Sequence, residues 1–439
     1  MLIGIDASRA NRDHRGGPEW YSYYLIKYFA RLDDKNQYIL FSDEPLRGGL
    51  LDLAYPEMEK SPAGEIKFDK AGFQIIKSPN NNFRAKVLNW PFKFLWTQGR
   101  LSISMLKRKL GRLDVLFIPA HTLPFFHPKN SIVTIHDVGF ERNRLFYDFQ
   151  KMGPESRRFH NLTDLLVRIF TLGKYGANSL DYQAWSVRYA LRHAKIIFCP
   201  SQFTKSEVLA LYKGSEDKIK VIPNGFNDKI YTPATTATTH RIDAALEKYG
   251  IKRPYLFYVG RLERKKNIPG LVEAYGIMRD KHPEINHKLV LAGNASFGYD
   301  EATFMASEYD VENDVIMPGW VEERDLPYLY QGADAFVFPS RYEGFGIPLL
   351  QAMGAGLPVT ASHSGPIPEV AGDAALLFDG EDVYKMSEAL YEIITNEELR
   401  KTLIARGLLR VKDYSWEKCA RETLEIIKSL GKNNKTEKS

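Results

Sequence analysis

Short apolar runs recur along the chain, and none of them alternates with polar residues. Leu2–Ile5, Tyr38–Phe41, Phe73–Ile76, Val115–Ile118, Ile132–Ile135 and Ile196–Cys199 are each rich in β-branched or aromatic residues. Short apolar runs without alternation predict strands buried on both faces of a parallel sheet. Stretches with helical spacing lie between most of them, as at Glu19–Leu32 and Ser201–Tyr212. Strand and helix in alternation predict a doubly wound α/β domain.

The texture changes between residues 223 and 254. Pro223-Asn224-Gly225 is a turn, and the Thr-rich run from Thr232 to Thr239 has no apolar period. The rhythm then restarts with Tyr255–Val259, Leu289–Ala292, Val315–Met317 and Ala335–Phe338. Two α/β domains are expected, residues 1–235 and 245–415. A last helix over 416–431 follows, and then a polar, disordered tail over 432–439. Two such domains facing each other form a cleft at the carboxyl ends of both sheets, so the loops after the strands should carry the chemistry.

Composition adds little beyond exclusions. A chain of 439 residues with two cysteines, Cys199 and Cys419, has no disulfide framework and no cysteine-rich metal site. No apolar run is long enough to span a membrane, and the opening Met-Leu-Ile-Gly-Ile-Asp reads as a strand rather than a leader. A soluble cytoplasmic protein is expected. A formal charge of +6 is too small to argue for nucleic acid.

Position matters more than average charge. Gly16 and Gly17 precede a helix and let a ligand approach the backbone, as a plain tight turn also would. Gly260-Arg261-Leu262-Glu263-Arg264-Lys265-Lys266-Asn267 places four cations between a strand end and a helix start, an arrangement suited to a diphosphate. Pro339 to Gln351 runs from a strand through Glu343, Gly344, Phe345, Gly346 and Ile347 into a helix. Its amides and helix dipole suit an anion or a sugar hydroxyl, and Glu343 and Gln351 are polar partners beside them. His136 and Asp137 close the strand Ile132–Ile135. There is no G-x-G-x-x-G, no P-loop, no Asp-x-Asp and no cluster with metal-ligand spacing. Nicotinamide chemistry and ordinary P-loop hydrolysis are disfavoured. Without a metal ion, Arg261 and Lys266 must neutralise a leaving diphosphate.

Together and in this order, these loops resemble the retaining glycosyltransferases of family 4. Val221-Ile222-Pro223-Asn224-Gly225 and the stretch Gly365 to Ala375, with Glu369, add to the likeness. The resemblance implies a GT-B fold, with acceptor on the N-terminal domain, nucleotide sugar on the C-terminal domain, and a last helix crossing back. It implies sugar transfer with retention and no metal cofactor. Arg261 and Lys266 would bind the donor diphosphate. Glu343 and the amides of Gly344 to Ile347 would hold the donor sugar and phosphate. His136 would contact the sugar near its reacting carbon, and Gly17 would approach the diphosphate. The family carries a second Glu eight residues after the first, usually a ribose ligand. Gln351 stands there, neutral and without charge-assisted hydrogen bonding.

Two segments remain for the acceptor. Arg84, Lys86, Trp90, Lys93, Trp96, Lys107, Arg108 and Lys109 mix cations and rings without an acidic residue from 83 to 113. They suit an anionic membrane surface at the inner face of the cell membrane, or an amphipathic helix with buried rings and solvated cations. Glu141–Trp185 is too long for a plain connection and suggests a lid or acceptor-binding insertion. The expected activity is hexose transfer to a saccharide or lipid-linked acceptor in cell-surface glycan synthesis. The segment from Pro119 through His121 to Pro124 looks most like that of members transferring mannose from GDP-mannose. The alternatives are a UDP-sugar donor, a nucleotide-sugar epimerase and a non-catalytic binder of nucleotide sugar.

Overall fold

In a computed structural model, residues 1–54, 66–90, 95–106, 113–147, 164–165, 167–169, 173–214 and 216–436 are described, the last five by backbone alone. Seven parallel strands form the first sheet: β1 (Leu2–Asp6), β2 (Gln37–Ser42), β3 (Phe83–Val87), β4 (Val115–Ile118), β5 (Ser131–Thr134), β6 (Ile196–Cys199) and β7 (Ile219–Val221). Their order is β3-β2-β1-β4-β5-β6-β7. The second sheet is also parallel: β8 (Tyr255–Val259), β9 (Lys288–Ala292), β10 (Val315–Gly319), β11 (Ala335–Phe338), β12 (Val359–Ser362) and β13 (Leu376–Phe378), in the order β10-β9-β8-β11-β12-β13. The expected doubly wound α/β pair is present. Each sheet reverses its strand order once, between β1 and β4 and between β8 and β11. Crevices for ligands open at such points, beyond the carboxyl ends of the strands.

The helices that position the site are α1 (Gly17–Leu32), α2 (Ser179–His193), α3 (Gln202–Leu211), α4 (Ile268–Lys281), α5 (Ile347–Gly354) and α6 (Trp416–Thr436). The crossover is as expected, for α6 leaves the second domain and packs on α1. Trp416, Cys419, Ala420, Leu424, Ile427 and Leu430 are buried in the first domain's core with Ile3, Ile5 and Phe29. Trp416 stacks on Tyr24 with ring centroids 5.0 Å apart. Gly431 lies against Met1, where a Cβ would strike the sulfur. The glycine is therefore kept for close packing, and the helix runs through it to Thr436, five residues past the expected end at 431.

Two other expectations are corrected. Phe73–Ile76 is not a strand of either sheet. Gln74 is buried there because its side chain pairs with the Leu46 backbone in both directions, at 2.8 and 2.9 Å, while Ile75 is 57% exposed. The edge strand is β3 instead, ten residues on. Arg84 and Lys86 belong to that strand, and both cations lie over the Phe73 ring, at 4.3 and 4.7 Å. Trp96 donates to the Leu88 carbonyl at 3.0 Å, and the Trp90 ring lies against Gly99. The described part of this basic segment is thus a packed sheet edge followed by a short helix over residues 97–106, not one amphipathic helix. Lys93, Lys107, Arg108 and Lys109 lie outside the described residues.

Candidate active site

The cationic loop leaves β8 and is held rigidly. Its residues Arg264–Lys266 make one tight turn, and Asn267 follows with φ 56°, a left-handed conformation that asparagine tolerates. The buried Asn267 amide donates to the Gly380 carbonyl at 2.8 Å. The Arg341 amide donates to the Lys265 carbonyl at 3.0 Å, tying this loop to the one after β11. Arg261 is left 70% exposed, its guanidinium within 3.3 Å of the Ser296 hydroxyl. Lys266 points inward and pairs with Glu343 at 2.5 Å. The expected phosphate-binding cation and the expected sugar-binding carboxylate are therefore adjacent.

The loop after β11 brings its backbone to the cleft. Gly346 has φ 102° and ends the loop where α5 begins. Phe345 turns its ring into the core, edge-on to Tyr414 at 5.7 Å, so only its amide is offered to a ligand. Gln351 accepts a hydrogen bond from the Tyr330 hydroxyl at 3.2 Å.

Across the cleft, Gly16 and Gly17 stand exposed at the start of α1, and a Cβ on Gly17 would meet nothing within 4 Å. The Gly16 amide donates to Glu19, whose other carboxylate oxygen pairs with Arg9 at 3.2 Å. His136 follows β5 with its ring edge-on to Tyr21, and its Nε2 lies 3.0 Å from the Pro119 carbonyl. A carbonyl oxygen only accepts, so Nε2 carries the proton and Nδ1 is left as an acceptor. Burial lowers the ring's pKa, which keeps it neutral at pH 7. His121 is pushed down to about 4 by burial, by Arg9 and by His136.

The two domains touch at these loops. A Cβ on Gly344 would lie 1.9 Å from the His136 carbonyl oxygen. The Gly344 carbonyl accepts from Ser201 Oγ at 2.8 Å and Thr204 Oγ1 at 3.1 Å. Lys265 reaches over to Asp137 at 3.5 Å and lies 4.9 Å from the Tyr147 ring centroid. Burial opposes both charges of that pair. The Lys265 ammonium, with help from the Gly139 amide and Lys266, still holds Asp137 below its usual range. Asp137, Glu343 and Glu263 hold Lys265 above its own. Glu369, on the short helix Ile367–Ala371, accepts from the free amides of Gln202 and Phe203 at 2.8 and 3.1 Å and so caps α3 from the other domain.

Sequence reasoning placed Gly17, His136, Lys266, Glu343 and Gly344 around one cleft; the structure sets Gly344 against His136 and Lys266 against Glu343, while Gly17 stands exposed at the start of α1 without a contact to them. Sequence reasoning passed over Arg9, Glu19, Lys265 and the capping role of Glu369, and named His121 only as part of the segment Pro119–Pro124. Lys265 was in view as part of the cationic run, but nothing local singles it out from Lys266. Of the expected lid, Phe146 and Tyr147 pack on Arg341 and Lys265, whereas residues 148–163 lie outside the described residues. A groove of about 680 Å³ beside Arg264, Phe304 and Phe146 lies away from the convergence of His136, Lys266 and Glu343. The chemistry favours the latter as the reaction centre.

Comparison with known proteins bears on the family and the fold. The model for Glycosyltransferase Family 4 matches residues 15–229, and the model for Glycosyl transferases group 1 matches residues 242–410. O-antigen chain mannosyltransferase B of Escherichia coli is 31% identical over 408 residues, 89% of this chain and 100% of that protein. The chain belongs to glycosyltransferase family 4. Solved structures share the GT-B fold. Sucrose-phosphate synthase from Thermosynechococcus elongatus has a TM-score of 0.67 at 18% identity, covering 98% of both chains. Anabaena HepE in complex with UDP and glucose has a TM-score of 0.63 at 17% identity, covering 98% of this chain and 99% of its own. In this family 4 glycosyltransferase, the contacts between domains lie where the loops after β5 and β6 meet the loops after β8 and β11. Among the described residues no helix is long and apolar enough to cross a membrane.

Proposed function

We propose that the chain transfers mannose from GDP-mannose to a saccharide or lipid-linked saccharide during synthesis of a cell-surface glycan, with retention and without a metal ion. The observation that carries the choice of sugar is the full-length likeness to an O-antigen chain mannosyltransferase. Arg261 and Lys266 take the donor diphosphate and stabilise its departure. Lys266 exchanges its Glu343 partner for phosphate, which frees the carboxylate to accept from sugar hydroxyls. The amides of Gly344 to Ile347, at the start of α5, face the same phosphate or sugar oxygens. His136, neutral and with Nδ1 open as an acceptor, orients a hydroxyl near the reacting carbon. The acceptor attacks from the face the diphosphate leaves, and the departing phosphate oxygen takes its proton.

The test is transfer by the purified chain with GDP-mannose, UDP-glucose and UDP-N-acetylglucosamine, each with and without EDTA, read by product NMR. The reading expects an α-linked mannoside from the α-linked donor, with a rate that EDTA leaves unchanged. An inverted product, loss of activity in EDTA, or use of a UDP-sugar alone would refute the corresponding part. Sugar interconversion without acceptor would point to an epimerase, and nucleotide-sugar binding without turnover to a non-catalytic protein.

The same reading places the protein at the inner face of the cell membrane, docked through the basic segment 83–113. Support comes from its sequence, since five of its cations lie outside the described residues.

A further inference from the structure

The loop Trp320–Asp325 follows β10 at the carboxyl end of the second sheet, the end that also carries Arg261, Lys266 and Glu343. Its acidic residues differ in circumstance. Glu322 and Asp325 both hold Lys248 at 2.6 Å. Glu323 makes no ion pair among the described residues, and its Oε1 is buried with no hydrogen-bond partner. Burial pushes its pKa up to about 7, and the charge it feels against that is Arg15, from the glycine loop of the other domain. Trp320 of the same loop meets His14 of that glycine loop, so Glu323 lies on a loop that borders the cleft, with its Oε1 desolvated and without a donor among the described residues. A buried acceptor in that state costs free energy unless something completes it.

Its neighbours indicate what does. Glu323 acts on the buried Tyr231, whose hydroxyl also reaches the Gln351 side chain. Gln351 accepts from the Tyr330 hydroxyl and reaches Tyr231, and as a neutral amide it offers a ligand no charged acceptor. A hydroxyl-bearing ligand on this wall then meets at Glu323 the carboxylate acceptor that Gln351 does not provide. Trp320 stands on the same loop, 37% exposed and edge-on to His14 of the other domain at 4.7 Å. An aromatic surface, a carboxylate and an amide in a row suit a nucleoside.

We propose that Glu323 accepts hydrogen bonds from the ribose hydroxyls of the donor nucleotide and so supplies the charge that Gln351 lacks. The proposal rests on the donor-binding reading above. A carboxylate accepting two hydroxyls gains charge-assisted bonds that a neutral amide does not match.

Titration calorimetry with GDP, UDP and ADP and with their 2′-deoxy forms tests it. Wild-type protein should prefer the ribonucleotide it binds by roughly tenfold or more over its 2′-deoxy form, the range of a charged hydrogen bond. Glu323→Gln should bring the two forms within about twofold of each other. The double variant Glu323→Gln with Gln351→Glu should regain the preference, which a merely structural role for Glu323 would not produce. Melting curves for each variant confirm that it is folded, and Glu323→Asp, shorter but charged, should keep part of the preference. A Glu323→Gln protein that keeps the full preference, or a wild type that binds a nucleotide without any preference, overturns this inference and leaves the donor reading standing. A wild type that binds none of the nucleotides overturns both.

Discussion

Gly344→Ala should stop turnover by holding the domains apart. A Cβ built at this position lies 1.9 Å from the His136 carbonyl oxygen, 2.9 Å from its carbon and 3.2 Å from Asp137 Cβ. An ordinary contact begins near 3.4 Å, so the methyl needs about 1.5 Å of extra space. Neither wall yields easily. His136 continues directly from β5, and the Gly344 carbonyl is clamped by Ser201 and Thr204 on the N-terminal part of α3. The free movement left is separation of the two domains. A displacement of about 1 Å in a reacting pair costs on the order of a hundredfold in rate, so kcat should fall by at least about that factor. Transfer assays give the rate, and small-angle scattering gives the radius of gyration, which should rise. Gly17→Ala is the control for packing, because its Cβ meets no protein atom within 4 Å. That variant should keep the wild-type scattering curve. A Gly344→Ala enzyme with wild-type kcat and an unchanged radius would refute the claim that this contact sets closure.

Three further outcomes are expected. Arg261→Ala and Lys266→Ala should each lower kcat by about two orders of magnitude or more with the fold retained, and unchanged turnover would remove both from the diphosphate site. Glu323→Gln should stabilise the protein at pH 8. Glu323 binds its proton more tightly folded, near 7, than at its ordinary 4.5, so wild-type stability falls as pH rises through that window and the loss is complete above it. At about 1.36 kcal/mol per decade the interval is worth about 3 kcal/mol, which partial exposure reduces to about 1–3. Urea unfolding should show the variant ahead at pH 8 and level with wild type near pH 4, and equal stability at pH 8 would sink the argument. The chain should sediment with vesicles containing anionic lipid and be released by about 0.5 M salt, whereas equal binding to neutral vesicles would dispose of an electrostatic membrane surface.

What the sequence reveals follows from how local each constraint is. The strands β1, β2, β4, β5 and β6 are covered on both faces, so they are written as unbroken apolar runs. The edge strand β3 is not. Its Phe-Arg-Ala-Lys-Val alternates because one face is packed and the other carries Arg84 and Lys86, and so it resembled a basic surface segment. Phe73–Ile76 is apolar for a different reason: Phe73 and Ile76 pack into the first domain's core, while Gln74 between them makes a single antiparallel bridge to Ala85 of β3 and pairs its side chain with Leu46. The loops after β8 and β11 were legible because a strand, glycines and a helix start lie within a few residues. The contacts that close the cleft join residues 128 to 167 positions apart, as in Lys265 with Asp137 and Glu369 with Gln202. No local pattern encodes them.

The adjacent lysines show how closure and chemistry divide. Arg264–Lys266 form one tight turn, in which successive side chains point about 120° apart. Lys265 is thereby sent to Asp137 and Tyr147 on the N-terminal domain, and Lys266 to Glu343 on its own domain. Lys265 is tied to a partner that exists only when the domains meet. Its charge reports closure and is already spent. Lys266 is held by a carboxylate that the proposed donor can relieve. On the proposed reading, Lys266 would then face the diphosphate with Arg261, and Glu343 would be released toward the sugar. Charge separates in that same sense as the glycosidic bond breaks, negative toward the phosphate and positive toward the ring. On the proposed reading, the cations and the carboxylate would stabilise the separated state more than the bound donor, and only stabilisation of that kind lowers the barrier.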